Sequence, residues 1–341
     1  MFWRELQQEM TDDRILYGVV GVYLLVAACL TIALGYPERL VAFIYLPHWL
    51  HGLVVTITLY SVVWGIRSDP RRPLTAVYRG LSTLPLPRLV AGGVLFCSVA
   101  VFSGTFTSIK TMLPDFVPFW ADLSLADLDA ALHGGVAPWF VLQPILGYPA
   151  VTRVIEYAYG PACAFTAYGF TAFVAIHPAA SHLRTRFFLA FFGAWILLGN
   201  ILAATGMSVG PAYYDLITGD IERFHGLVQY LSFSEGLPFS AWSYQKYLWT
   251  NHVAGTVELG TGISAFPSLH VAMSTLFALA AWRINRWVGV VLTLFWGVVL
   301  VGSVHLGWHY ALDGYVSTAC MLAIWFGAGR LHRLLQSPAL P

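Results

Sequence analysis

Residues 260–282, GTGISAFPSLHVAMSTLFALAAW, join a polar start that contains a proline and a histidine to a long apolar run. The segment carries no Asp, Glu, Lys or Arg. A helix needs about 20 apolar residues to cross a hydrocarbon core of roughly 30 Å. We therefore predict that this segment spans a membrane as a helix, with Ser268 and His270 near one end of the apolar run.

The rest of the chain has the same apolar character. Of its 341 residues, 58% are hydrophobic and 10% are charged, whereas soluble globular proteins carry about 25% charged residues. This composition excludes the ordinary water-soluble classes, and no nucleic-acid partner is expected. Eight predominantly apolar runs are predicted to cross the membrane: residues 15–37, 40–66, 89–109, 157–183, 187–214, 259–282, 287–312, and a last run that begins near His309 and ends before Arg330. The expected fold is an all-α, polytopic membrane helical bundle of about eight transmembrane helices.

The distribution of arginine and lysine between the loops predicts the orientation of the chain. With eight spans and the N-terminus inside, only five of the 18 basic residues fall outside: Arg39, Lys110, Arg153, Arg223 and Lys246. Cytoplasmic loops of membrane proteins carry an excess of Lys and Arg. We therefore expect both termini to be cytoplasmic.

The stretch Pro-Ser-Leu-His at residues 267–270 predicts an anion site. Proline is favoured at the first position of a helix, so we expect a helix to begin at Pro267. Its unpaired N–H groups and positive dipole end, with the Ser268 hydroxyl beside them, would attract a phosphate. His270 lies in the first turn, where it would be able to protonate an oxygen that leaves the phosphate.

A second polar group occurs in VHLGWHYALDGY, residues 304–315. His309 and Asp313 are four residues apart and share one side of a helix. This segment and Pro267 are each one crossing away from the RINR turn at 283–286, so both return to the same outer face. The carboxylate would orient one ring nitrogen and leave the other as a nucleophile. Because ionisable groups at membrane depth are rare and usually functional, this convergence favours a reactive site.

Two alternatives use the same residues differently. His305, His309 and Asp313 also have a spacing that suits a metal ion, but a metal site gives no role to the Pro-Ser-Leu-His helix start. A transporter or channel would use the histidines as a proton or substrate site, yet no pair of corresponding broken helices is evident. We therefore expect no metal and no other cofactor.

These residues resemble two motifs of the type 2 phosphatidic acid phosphatase superfamily, a likeness that extends from about residue 199 to residue 329. The family's Pro-Ser-Gly-His motif corresponds to residues 267–270, and its Ser-Arg-x5-His-x3-Asp motif to Gly302-Ser303, His309 and Asp313. The resemblance implies that His309 is the nucleophile and forms a phosphohistidine. It also implies that Asp313 orients His309 and that His270 protonates the leaving group.

The departures from these motifs resemble one branch of the superfamily more than the others. Ser303 stands where the family has arginine, and no Lys-x6-Arg-Pro motif precedes residue 267. The reduced His, His, Asp set is similar to that of inositol phosphorylceramide and sphingomyelin synthases, which move a phospho-head group between lipids. MLPDF at 112–116 also resembles a Leu-Pro-Asp segment of sphingomyelin synthases. The resemblance thus implies inositolphosphotransferase-like head-group transfer, with a plain lipid phosphate phosphatase as the alternative.

A cation is still needed to neutralise the phosphate. Lys110, in TSIKTMLPD at the outer end of the third span, is the best-placed candidate, although a lysine at this position also suits simple snorkelling to the surface. Lys246 and Arg223 are further candidates, and Ser268 and Ser303 supply hydroxyl groups. The expected partners are a phospholipid or other lipid phosphate and either water or an acceptor alcohol.

The expected domain organisation has four parts. Residues 1–110 form accessory N-terminal helices, and residues 111–151 form an extracytoplasmic interfacial segment. Residues 152–330 form the catalytic helical core with an outer loop at 207–262, and residues 331–341 form a cytoplasmic tail. Within the interfacial segment, FWADLSLADLDAALHGG places leucines on one helical face and its aspartates off that face, which predicts a short interfacial helix. The expected location is the plasma or inner membrane, with the site extracytoplasmic.

Overall fold

The computed structural model describes residues 1–82 and 85–336. Within these residues, seven helices are long and apolar enough to cross a membrane: Arg14–Ala33, Leu46–Ser68, Leu86–Phe116, Pro149–Ile176, Pro178–Thr205, Arg286–His305 and Ala311–Leu335. A further apolar helix, Leu269–Ala281, is shorter. The prediction of an all-α polytopic membrane bundle is confirmed.

The described helices are numbered in chain order. They are α1 (Phe2–Asp12), α2 (Arg14–Ala33), α3 (Leu46–Ser68), α4 (Pro73–Ser82), α5 (Leu86–Phe116), α6 (Asp122–Leu132), α7 (Pro138–Leu146), α8 (Pro149–Tyr157), α9 (Cys163–Ile176), α10 (Arg184–Ile196), α11 (Ala203–Thr205), α12 (Tyr214–Thr218), α13 (His225–Leu231), α14 (Ala241–Ala254), α15 (Leu269–Ala281), α16 (Arg286–His305) and α17 (Ala311–Gln336). A π-helical turn, Ala158–Ala162, joins α8 to α9, and another, Leu197–Leu202, joins α10 to α11.

The chain forms two compact units. The first contains residues 1–105 and 164–188, and the second contains residues 106–163 and those from Leu189 onward. Every site residue expected from the sequence lies in the second unit. The sequence-based boundaries at residues 110, 151 and 330 stay predictions. Of the expected tail, residues 331–336 continue α17, and residues 337–341 lie outside the described residues.

A buried ion-pair network lies at one end of the first unit. Arg184, at the start of α10, pairs with Glu9 of α1 at 2.7 Å and with Asp13. Arg88, near the start of α5, pairs with Glu9 at 3.4 Å. Because Arg88 and Arg184 are almost fully buried, they depend on these carboxylates for compensation. The network brings together three segments that the arginine distribution assigns to the cytoplasmic side.

The short helix α15 lies at the centre of the second unit. Ten of its 13 residues are buried, and it packs against α16 and α17. The sequence predicted that the span would begin at residue 259, and this is wrong for residues 259–268, which are not helical. Gly260 and Gly262 adopt positive φ angles of 73° and 99°, and Pro267 has no N–H to donate to a preceding turn. These residues favour a loop immediately before the start of α15.

The predicted fifth span, residues 187–214, is also shorter in the structure. The helix ends at Thr205, and a strap, defined here as residues 206–213, follows it; the strap has no α-helix and ends in the 3-10 turn Pro211–Tyr213. The strap contains Gly206 and Gly210, and Gly210 has a positive φ of 81°. Such a conformation disfavours side chains with a Cβ atom, so glycine permits the chain to turn here.

Candidate active site

Ser268 caps the helix that carries His270. Its Oγ accepts a hydrogen bond from the Val271 N–H at 3.4 Å, and the helix begins at Leu269. The expectation that Pro267 occupies the first helical position is therefore wrong, since it precedes the cap. A serine cap supplies one acceptor for the unpaired N–H groups of the first turn. His270 becomes the second helical residue, and its side chain stays accessible.

The strap holds the loop that leads into α15. The Ala265 N–H donates to the Ser208 carbonyl at 2.9 Å, and the Phe266 N–H donates to the Ser208 hydroxyl at 3.1 Å. At Gly210, a Cβ atom would come within 2.8 Å of the Trp308 carbonyl oxygen and 2.9 Å of Ala265 Cβ. The strap thus lies between the two motif segments, and only glycine fits at this contact.

His309 lies in the short loop between α16 and α17, so the expectation that it shares a helix with Asp313 is wrong. Its Nδ1 atom is 3.4 Å from Oδ2 of Asp313. The same carboxylate oxygen accepts a hydrogen bond from the Tyr310 N–H at 3.1 Å. His309 is 8% exposed and Asp313 is fully buried. Burial, followed by the nearby charge of Lys110, lowers the pKa of His309 below its ordinary value, which favours the neutral imidazole that a nucleophile requires.

Ser303 supports this loop through its backbone. Its carbonyl accepts hydrogen bonds from the N–H groups of Trp308 and His309 at 3.0 and 3.2 Å. Its hydroxyl, which is fully buried, donates to the Leu300 carbonyl at 2.8 Å. Ser303 therefore supports the C-terminal end of α16 and positions His309, and its hydroxyl is already engaged by the Leu300 carbonyl.

The two motif segments meet. The Ser268 N–H lies 3.5 Å from the Asp313 carbonyl, and His270 lies close enough to His309 to be influenced by it. The ring of Tyr159, from the π-helical turn Ala158–Ala162, stacks on His270 with centroids 4.5 Å apart. Sequence reasoning missed Tyr159. The only signal was the Gly160-Pro161 pair inside an apolar span, which indicates an irregular helix but not its neighbour.

Lys110 belongs to the same group of residues. Its charge acts on both His270 and His309. A Cβ atom at Gly262 would come within 2.9 Å of Lys110 Cγ, so the lysine packs closely against the loop before α15. Within the described part of the chain, no hydrogen bond or ion pair engages its ammonium group. Lys110 is thus a cation beside the two histidines with its donors available to a ligand.

The other candidate cations are engaged elsewhere. Lys246 pairs with Glu235 at 2.6 Å, and both side chains are exposed. Arg223 pairs with Asp127 at 2.6 Å and lies 3.3 Å from the Tyr214 hydroxyl. The structure therefore favours Lys110 over Lys246 and Arg223 as the phosphate-binding cation.

A carboxylate from α6 holds the start of α17. The two side-chain oxygens of Asp129 accept hydrogen bonds from the N–H groups of Ala311 and Leu312, at 3.1 and 2.9 Å. Asp129 is 3% exposed. An acidic group at a helix N-terminus satisfies unpaired donors and complements the helix dipole. This contact fixes the start of α17, which lies two residues after His309.

A second carboxylate of α6, Asp122, joins the strap to the His309 loop. Its oxygens accept hydrogen bonds from the N–H groups of Val209 and Gly210, at 2.9 and 3.0 Å. The Tyr310 hydroxyl donates to the same carboxylate at 2.9 Å. Both buried aspartates of the expected interfacial helix therefore bind backbone around the site, while Leu123, Leu128 and Leu132 are exposed.

We predict that Asp129→Ala lowers the stability of the protein by about 2–3 kcal/mol, because two buried N–H groups lose a charged acceptor. Thermal unfolding in detergent measures this change. Asp127→Ala on the same helix is the matched control, since Asp127 is an exposed partner of Arg223 and such pairs contribute about 0–1 kcal/mol. Equal unfolding midpoints for the two variants would contradict the role given to Asp129.

In the described residues, His305 does not form a set of metal ligands with His309 and Asp313. His305 is fully buried, and its Nε2 atom lies 2.9 Å from the Thr152 hydroxyl, which in turn is 2.7 Å from the Tyr230 hydroxyl. Across residues 1–82 and 85–336, no group of three His, Cys, Asp or Glu side chains is arranged to hold a metal ion. The His305 side chain therefore bonds to Thr152 and joins α16 to α8. It does not point to a metal ion shared with His309 and Asp313.

Comparison with known proteins identifies the family. A model of the PAP2 superfamily matches residues 123–327, a range that includes Ser268, His270, His309 and Asp313. Neither a search of curated proteins nor a search of solved structures found a match. The narrower resemblance to inositol phosphorylceramide and sphingomyelin synthases stays a prediction. Because the match covers more than half of the chain, the protein belongs to the PAP2 superfamily.

Proposed function

We propose that the protein transfers or hydrolyses a lipid-linked phosphate through a phosphohistidine on His309. Membership of the PAP2 superfamily suggests a lipid phosphatase or phosphotransferase. Two contacts carry the proposal. Nδ1 of His309 lies 3.4 Å from the carboxylate of the fully buried Asp313. The backbone carbonyl of Asp313 in turn contacts the N–H of Ser268, which caps the helix that bears His270. Nucleophile, orienting acid, general acid and anion site thus lie together.

In the first half of the reaction, the His309 ring nitrogen turned away from Asp313 attacks phosphorus. The bond from phosphorus to the leaving oxygen breaks, and His270 donates a proton to that oxygen. Asp313 stabilises the positive charge that develops on His309. The N–H groups at the start of α15 and the ammonium of Lys110 stabilise the phosphate oxygens.

In the second half, His270 accepts a proton from an incoming hydroxyl group, whose oxygen attacks phosphorus and releases His309. Water as the acceptor gives a phosphatase, and a lipid or other alcohol gives a transferase. We favour transfer, by the resemblance to head-group transferases. The segment 207–262 supports this choice, because Gln245 of α14 donates to the Leu306 carbonyl at 2.8 Å and so covers the His309 loop. A transferase must keep water from its intermediate.

The test supplies purified protein in mixed micelles with phosphatidylinositol labelled in the inositol ring and with labelled phosphatidic acid, each with and without ceramide or diacylglycerol. The expected result is a new labelled phospholipid that appears only with an acceptor. Release of phosphate from phosphatidic acid at one rate whatever alcohol is present would instead make the enzyme a phosphatase, and such release of inositol phosphate would make it a phosphodiesterase. Substrate flux across proteoliposomes without any product would favour the transporter alternative.

Lys110→Met is expected to lower kcat/KM by about 10–100-fold. A charge-assisted contact between lysine and phosphate in a partly desolvated site contributes roughly 1.5–3 kcal/mol. Lys246→Met is the control, because it removes a charge only from an exposed ion pair, and its kinetics should match those of the wild type. If both variants behave alike, Lys110 does not bind the phosphate.

We infer that the site faces the extracytoplasmic side of the plasma or inner membrane, because the arginine distribution favours cytoplasmic termini. We expect an impermeant thiol reagent to label Val253→Cys, which precedes the α15 loop, but not His182→Cys, which lies before α10. Both native side chains are exposed. The unmodified chain, with its four cysteines, reports background labelling. The reverse pattern would place the site in the cytoplasm.

A further inference from the structure

Three buried polar atoms around the candidate site have no hydrogen-bond partner among the described residues. They are Nδ1 of His309, which faces Oδ2 of Asp313 at 3.4 Å but outside hydrogen-bond geometry, Oδ1 of Asp313 and the hydroxyl of Tyr159. A buried polar group without a partner costs about 1–3 kcal/mol, so such a group points to a ligand that would supply the bond. The proposed reaction uses His309 and Asp313, but it gives no role to Tyr159.

The ring of Tyr159 is held firmly at the site. The residue is 6% exposed and lies in the π-helical turn Ala158–Ala162, a type of helix irregularity that is frequent at functional sites. Its ring stacks on His270 at 4.5 Å and lies nearly parallel to the Trp308 ring at 6.4 Å. Two aromatic neighbours therefore fix where the hydroxyl points.

The hydroxyl lies beside the anion site. It interacts with the Ser268 side chain at a geometry outside that of a hydrogen bond, and it lies near the Asp313 carboxylate. Ser268 caps the helix end where the phosphate is expected to bind. A phenol at this place offers one hydrogen-bond donor without adding a charge. A bond from such a donor to a phosphate oxygen strengthens as negative charge develops.

We propose that Tyr159 contacts the substrate and that its hydroxyl donates a hydrogen bond to a nonbridging oxygen of the phosphate during transfer. This inference rests on the proposed function and adds a fourth side chain to Ser268, Lys110 and His270 around the phosphate. It also explains why a tyrosine occupies a position where phenylalanine would stack equally well. The donor is one of the preorganised groups that stabilise charge in the transition state.

Tyr159→Phe tests the proposal, because it removes the hydroxyl and keeps the stacked ring. Removing one such donor lowers kcat by about 10²–10³-fold in enzymes where it has been measured, and we expect a loss of at least about tenfold here. Tyr157→Phe is the matched control: Tyr157 lies two residues away, with 45% of its surface exposed, and its kinetics should not change.

A second readout does not depend on turnover. Vanadate, which adopts the geometry of a transferring phosphoryl group, and inorganic phosphate should raise the thermal unfolding midpoint of the wild type and of Tyr157→Phe. The vanadate concentration needed for this effect should rise at least about tenfold in Tyr159→Phe. The midpoint without ligand should stay the same, because the hydroxyl has no partner to lose.

The outcomes separate this inference from the proposed function. If the wild type is active and binds vanadate, but Tyr159→Phe binds vanadate equally well, the role given to Tyr159 is wrong and the proposed function still stands. A lower unfolding midpoint without ligand would also overturn it, since the hydroxyl would then bond within the protein. A wild type that neither turns over lipid phosphate nor binds vanadate would overturn the proposed function and this inference with it.

Discussion

His309→Ala is expected to reduce turnover of lipid phosphate to background while the protein stays folded. The variant has no nucleophile, and the remaining groups have no covalent route to the product. Asp313→Asn should lower kcat by roughly 10⁴-fold, the effect typical of neutralising an acid that orients a catalytic histidine. The wild type should also acquire an alkali-stable, acid-labile phosphate label, and His309→Ala should not.

Two controls accompany these variants. His225→Ala removes an exposed histidine from the same structural unit and should retain full activity. The gel-filtration profile and the unfolding midpoint of each variant report whether the protein is folded. A labelled His309→Ala protein, or a folded variant with substantial turnover, would show that another group attacks the phosphate.

His270→Ala is expected to lower turnover of a lipid phosphate by about 10²–10⁴-fold, because the alkoxide leaving group needs a proton from a general acid. An aryl phosphate has a leaving group that departs without protonation. Its release in a single turnover should therefore fall by less than about tenfold. The ratio of the two rates measures the general-acid role separately from any change in binding.

His270→Gln is the companion variant, since glutamine fills more of the space beside Tyr159 than alanine does but cannot act as a general acid. It should show the same selective loss as His270→Ala. Equal losses with the two substrates would indicate that His270 only binds or positions the phosphate. Near-normal turnover of the lipid would eliminate His270 from the mechanism.

The sequence by itself determined the class of protein and the residues that form the motifs. Whether an apolar run is long enough to cross a bilayer is a local property, and so the membrane-spanning helices could be predicted. The four-residue spacing of His309 and Asp313 is also local, as is the helix start beside Ser268 and His270. The overlong sixth span was a local error as well, because Gly260, Gly262 and Pro267 already indicated a break.

Tertiary structure alone decided which other residues join the motifs. Tyr159 stacks on His270 from 111 positions away, and Asp129 binds the start of α17 from 182 positions away. Lys110 and Lys246 are both basic residues assigned to the outer side, yet one lies beside the histidines and the other pairs with Glu235. Local periodicity reports which face of a helix is apolar, but not which distant segment packs against it. These neighbours follow from close packing and from the requirement that buried polar groups find partners, and both arise only when the whole chain has folded.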